Sequence, residues 1–93
     1  MADIEVKSTD LGTKYEFQVT VQEEGSATQH RVTLNKADYE RLAGGKASPD
    51  ALVLESFRFL LKREPKESIL RSFDLTVIGR YFPEYERVIG KQL

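Results

Sequence analysis

Residues 15–34, YEFQVTVQEEGSATQHRVTL, decide the fold of this chain, because apolar and polar side chains alternate on both sides of a glycine-containing turn. In the first seven residues every second position is apolar, a period that is typical of a strand with one buried face. The alternation resumes after Gly25 with the same period. Two such runs joined by a short polar loop predict an antiparallel β-hairpin over about residues 14–34.

The residues before this hairpin suggest a third strand. Ile4 and Val6 are β-branched and lie two positions apart, so residues 3–9 fit a strand if residues 10–13 turn the chain. The pattern leaves open whether the run Tyr15–Val21 pairs within the chain or across a dimer. A small sheet with open edges favours self-association, so we expect a homodimer.

After the hairpin the apolar period changes from two residues to 3.6, which indicates helices. Asn35 is a suitable cap for a first helix over about residues 36–43, and the glycine pair that starts at Gly44 is a suitable end. Ser48, followed by proline, starts a second helix over about residues 49–63. We expect its apolar stripe to pack on the hairpin. The stripe consists of Val53, Phe57, Leu60 and Leu61, and the matching face of the hairpin carries Phe17, Val19, Val32 and Leu34.

The last third of the chain predicts a helix over about residues 66–81, with a break near Asp74 as an alternative, and a short terminal helix over about residues 83–90, which begins at Pro83. Residues Leu75–Ile78 fit a strand as well as a helix, and this alternative stays open. The expected fold class is α+β: an N-terminal antiparallel hairpin or small sheet followed by three to four helices, in a single domain spanning residues 1–93.

The composition excludes several classes of protein. The 93 residues contain 14 basic and 15 acidic side chains, which is not the polybasic composition of proteins that hold nucleic acid by charge alone. Because cysteine is absent, disulfide scaffolds and thiolate zinc sites are excluded. No apolar run approaches the roughly 18 residues of a membrane span. We therefore expect a cytoplasmic protein without membrane contact.

The sequence offers little catalytic chemistry. Its one histidine, His30, falls in the apolar phase of a strand, where a packed, hydrogen-bonded ring is expected. The segment around Lys46 is not a phosphate-binding loop, because Glu40 stands where the first glycine belongs and Ala47 where a hydroxyl belongs. We expect no catalytic activity, no cofactor and no bound metal.

The middle of the chain, residues 30–64, resembles the ribbon-helix-helix family of DNA-binding regulators and antitoxins. The residues that carry the resemblance are the strand HRVTLN at 30–35, the helix residues DYERL at 38–42 and the start SP at 48–49 of the longer helix. The resemblance implies that two chains pair these strands and that their outward side chains enter the major groove. The candidate DNA-reading residues are Gln29, Arg31 and Thr33, with Ser48 at a helix start that faces a phosphate.

Our leading functional hypothesis is a small non-enzymatic interaction or regulatory module that acts through protein–protein contact. The alternative is a ribbon-helix-helix-type transcriptional regulator or antitoxin, with DNA as the partner. A basic cluster on the second helix could meet an acidic partner, and terminal aromatic residues are common at interface cores. The candidate partner-binding residues are Arg58, Lys62, Arg63, Lys66, Tyr81, Phe82 and Tyr85.

Overall fold

The alternating run Tyr15–Val21 lies in the second strand of a four-stranded sheet in the computed structural model, which describes residues 2–93. The strands are β1 (Asp3–Asp10), β2 (Lys14–Glu23), β3 (Ser26–Asn35) and β4 (Ser72–Asp74). They lie in the order β1-β2-β3-β4, with β1, β2 and β3 antiparallel and β4 parallel to β3. The run Tyr15–Val21 therefore pairs within the chain, and the α+β fold class is confirmed.

Two tight turns connect the first three strands. Between β2 and β3 only Glu24 and Gly25 are unpaired, and both have positive φ, 53° and 80°, which matches the twist of a two-residue hairpin. Between β1 and β2 the Asp10 side chain accepts a 2.8 Å hydrogen bond from the backbone N–H of Gly12. The strand that residues 3–9 suggest is therefore present as β1.

The helices are α1 (Lys36–Ala43), α2 (Pro49–Leu61), α3 (Ile78–Tyr81) and α4 (Tyr85–Gln92). Ser48 caps α2 as expected, its hydroxyl accepting from the backbone N–H of Ala51 at 3.1 Å. Asn35 precedes α1, but its side chain caps no backbone group. None of the helices within residues 2–93 combines the length and apolar composition needed to cross a bilayer.

The core lies between one face of the sheet and α2, and α4 packs against α2 from the other side. The apolar hairpin face and the stripe residues Val53, Phe57 and Leu60 belong to one buried cluster, as their patterns predict, and Leu61 is half-buried against it. Members with no exposed surface include Phe17, Val19, Val32, Leu34, Val53 and Phe57. On the opposite face of the sheet Gln18, Gln29 and Arg31 are exposed, so within residues 2–93 this face is open to solvent, and we call it the uncovered face.

The predicted helix over residues 66–81 is wrong for its first half, whereas the alternative of a break near Asp74 agrees with the structure, in which helical turns begin after this residue. The chain there forms a 3-10 turn at Lys66–Ser68, then β4, then a second 3-10 turn at Leu75–Val77 that leads into α3. The physical reason is a set of hydrogen bonds to β3. The Arg31 N–H donates to the Arg71 carbonyl at 2.8 Å, and β4 pairs with Arg31–Thr33. An extended backbone in this place satisfies groups on the sheet edge that a helix would leave unpaired.

Candidate functional site

An open apolar groove of about 360 Å³ lies beside β4, between the end of α2 and the segment 68–82. Its volume is at the lower end of the range for binding pockets, about 300–1,000 Å³, which suits one or two anchoring side chains. Its apolar walls include Leu60, Phe73, Val77, Ile78, Tyr81 and Phe82.

Two large side chains at the groove project into solvent. Leu70 is 47% exposed and Tyr81 is 67% exposed, whereas the neighbouring Ile69 and Ile78 are each 3% exposed. Ile69 and Leu70 differ in exposure because the backbone is extended as it enters β4, and successive side chains of an extended backbone point to opposite sides. A groove with exposed apolar side chains at its rim is typical of a contact surface.

His30 holds one rim of this groove in place. Its ring is buried against Phe57, with 5.3 Å between ring centroids. Nδ1 lies 2.7 Å from the Leu70 carbonyl oxygen, so this nitrogen donates, and Nε2 lies 2.8 Å from Thr28 Oγ1 and accepts. Burial is the main cause that lowers the pKa of His30. The ring is therefore neutral and structural, as its strand phase predicts, and neither nitrogen is free to act as a base.

Glu64 is the one charged side chain among the residues that line the groove. It is half-buried, and within residues 2–93 its carboxylate forms no salt bridge. A half-buried carboxylate beside apolar walls favours a ligand that carries a positive charge next to an apolar group.

The aromatic residues of the predicted partner surface separate into two groups. Tyr81 and Phe82 line the groove, but Tyr85 is fully buried between α2 and α4 and is not available to a partner. The Ser56 hydroxyl donates to the Leu52 carbonyl at 2.7 Å, so the Tyr85 hydroxyl, 2.6 Å away, donates to Ser56. Burial raises the pKa of Tyr85 to about 12.

Most of the predicted basic partner surface is engaged within the chain. Arg58 pairs with Glu55, and the Arg63 guanidinium stacks 3.5 Å from the centroid of the Phe59 ring. Arg63 also lies 3.3 Å from a Glu84 carboxylate oxygen. The prediction that Lys66 is available to a partner is wrong, because the residue is only 5% exposed and its ammonium lies 2.8 Å from a Glu67 carboxylate oxygen. Of the predicted basic residues, Lys62 is exposed and has no salt bridge within residues 2–93.

The candidate DNA-reading residues of β3 lie on the uncovered face of the sheet, as the alternation predicts. Gln29 and Arg31 are exposed, while Thr33 donates a 3.1 Å hydrogen bond to Asp74. Arg31 lies 3.6 Å from Glu16, so its charge is offset on the same face. β3 has strand neighbours on both sides within the chain. DNA binding by these residues, and by Ser48 at the start of α2, stays a prediction.

No sequence pattern points to Leu70 or Glu64 as site residues, because only the return of the chain to β3 brings them to the groove. Among residues 2–93, no three histidine, cysteine, aspartate or glutamate side chains are grouped so that they could hold a metal ion. Comparison of the chain with protein-family models, with curated proteins and with solved structures found no match.

Proposed function

We propose that this chain is a small non-enzymatic interaction module that binds a partner protein in the groove beside β4. The observation that supports the proposal is the exposure of Leu70 and Tyr81 at the rim of an open apolar groove. Water contact with these side chains is unfavourable, and a partner that covers them gains about 25 cal/mol for each Å² of apolar surface removed from water.

The chemistry of the groove defines the partner segment. Its walls fit one or two apolar anchor side chains, and Glu64 fits a lysine or arginine beside them. Because hot-spot residues lie in well-packed pockets surrounded by weaker contacts, the anchors should contribute most of the affinity. The partner is therefore a segment that presents an apolar side chain next to a basic one.

The alternative function, DNA binding by the uncovered sheet face, has weaker support. The register places four acidic and three basic residues on the face that carries Arg31, so this face has no excess of basic side chains; they are Asp3, Glu5, Glu16 and Asp74 against Lys7, Lys14 and Arg31. Phosphate binding depends on an excess of basic side chains. This balance of charge favours a protein partner.

The test makes the same substitution at two leucines whose side chains are exposed to nearly the same extent. Leu70→Glu places a charge at the rim of the groove, and Leu11→Glu places the same charge in the β1–β2 turn, where the leucine is 49% exposed. We expect proteins captured from the native cell lysate by the wild-type chain to be captured by Leu11→Glu and lost with Leu70→Glu.

The captured partner then provides the quantitative measurement. Calorimetry with the partner's binding segment should show weaker binding to Glu64→Gln, by about tenfold if a charge-assisted contact is lost. Equal capture by the wild-type chain and Leu70→Glu would place the partner surface elsewhere and contradict the proposal.

A further inference from the structure

We propose that a second copy of this chain pairs with the edge strand β1, in an antiparallel register centred on Val6, and extends the sheet to eight strands. This interface lies at the edge of the sheet opposite β4, so it goes beyond the function proposed for the groove and does not depend on it. The occupant is a copy of the same strand, and the argument rests on the backbone, the register and the charges of β1.

The backbone of β1 is suited to strand addition. β1 is eight residues long, contains no proline and lies at the end of the strand order, with β2 on one side. Its register with β2 runs without a bulge from Asp3 opposite Gln22 to Asp10 opposite Tyr15. A long and regular edge strand presents a row of N–H and C=O groups that can pair with another strand.

The register follows from side-chain direction. In an antiparallel pair, residues opposite each other lie on the same face, so a two-fold axis must pass through a residue pair of β1. With the axis at Val6, each Val6 lies opposite its own copy, and each Glu5 lies opposite Lys7 of the second copy. Ile4 then lies opposite Ser8, and Asp3 opposite Thr9.

The charges select this register over its neighbours. Moving the axis by one residue to Glu5 places two glutamates opposite each other, and moving it to Lys7 places two lysines opposite each other. Like charges directly opposite are destabilising, whereas two Glu–Lys pairs stabilise the strand pair. The register centred on Glu5 also forms two Asp3–Lys7 pairs, but only the register centred on Val6 forms opposite-charge pairs without placing like charges opposite each other.

The side chains concerned are available for these contacts. Glu5 is 68% exposed and Lys7 is 76% exposed, and they lie 3.9 Å apart on the uncovered face of the sheet. On the other face Ile4 and Val6 are half-buried, and pairing would cover their remaining surface. Both faces of β1 thus gain favourable contacts in the same register.

The experiment uses charge reversal and measures molar mass by light scattering after gel filtration. The wild-type chain should elute as a dimer, with twice the chain mass of 10.6 kDa. Glu5→Lys and Lys7→Glu should each be monomeric, with a dissociation constant raised on the order of tenfold or more, because each reversal replaces two attractive pairs by two repulsive ones. Glu40→Lys, the same change on the exposed side of α1, is the control and should remain dimeric.

Complementation identifies the register. A one-to-one mixture of Glu5→Lys with Lys7→Glu should form a heterodimer, because every lysine at these positions then lies opposite a glutamate. The double variant Glu5→Lys with Lys7→Glu should dimerise with itself for the same reason. Unfolded variants could not produce either result. A wild-type chain that is monomeric at about 100 μM, well above a micromolar dissociation constant, would overturn the proposal. The charges of β1 would then protect the edge strand against pairing. Dimers that neither single reversal weakens would overturn the proposal as well.

Discussion

His30 joins two parts of the chain that are 40 residues apart, because its ring hydrogen-bonds to Leu70 while its backbone belongs to β3. The arrangement uses both ring nitrogens and leaves the side chain 1% exposed. A protonated ring would have to donate from both nitrogens inside a low-dielectric site. The rim of the groove is therefore held by a histidine whose burial favours the neutral ring.

We predict that stability falls on mild acidification because of this residue. Burial holds the pKa of folded His30 below its ordinary value of 6.5, and the nearby Arg71 charge lowers it further. As pH falls below 6.5 the unfolded chain binds a proton that the folded chain does not, so the free energy of unfolding falls until the folded pKa is reached. The slope is at most about 1.4 kcal/mol per pH unit.

The measurement is urea unfolding at pH 7, 6 and 5 for the wild-type chain and His30→Gln, which does not titrate. Asp10, Glu67 and Glu84 have lowered pKa values, and their contributions are lost only as pH falls below their ordinary values of 3.8 to 4.5, under this range. His30→Gln should therefore show a flatter pH dependence than the wild-type chain. Equal slopes would show that His30 does not titrate in this window.

At the scale of single elements, the regular pairs of β-strands and the capped helices follow from local patterns, but β4 does not. The hairpin and α2 have long periodic runs with turn or cap residues at their ends. β4 has three residues, and it is a strand only because β3 offers it a parallel partner. The apolar spacing of residues 66–81 also fits a helix, so no local signal separates the two structures.

The residues of the candidate site also separate into those that a local sequence pattern predicts and those whose position depends on β4. The sequence predicts Tyr81 and Phe82 as partner residues because aromatic residues are enriched at interface cores, and both side chains line the groove. Leu70 and Glu64 could not be predicted, since their place depends on β4. The prediction for Tyr85 was wrong because α4 turns this side chain toward Ser56 in the core.

A substitution in β3 distinguishes the protein-binding hypothesis from the DNA-binding hypothesis. Arg31→Glu should change the free energy of unfolding by no more than about 1 kcal/mol, because the pair with Glu16 is exposed. On heparin at low salt we expect the wild-type chain to flow through, and Arg31→Glu and the control Lys46→Glu to behave alike. Retention of the wild-type chain that Arg31→Glu alone abolishes, at unchanged melting temperature, would support DNA binding instead.

Considered as a whole, the molecule has one core. Its Cα radius of gyration is 12.4 Å, close to the roughly 12.3 Å that chain length predicts for a compact domain. A single buried cluster draws side chains from β2 and β3, from all four helices and from the turns on either side of β4, and Ile4 and Val6 of β1 pack against it. The elements should therefore unfold together.

Phe57→Ala tests this cooperativity. Phe57 has no exposed surface, and its truncation should cost about 3–5 kcal/mol. Urea transitions followed by far-UV circular dichroism and by fluorescence of the four tyrosines should coincide in both the wild-type chain and the variant. Leu11→Ala, at an exposed turn, should stay within about 0.5 kcal/mol of wild type. Separate transitions for the two probes would show that the sheet and the helices unfold independently.

The parallel pairing of β4 with β3 has a consequence for the order of events during synthesis. The meander of the first three strands contains only local connections, and it can form while the rest of the chain is still being made. β4 must wait, because α1 and α2 lie between it and its partner strand. The groove, whose rim depends on β4, is thus absent from every nascent chain that has not yet reached this strand. A partner that recognises the groove would not bind such early chains.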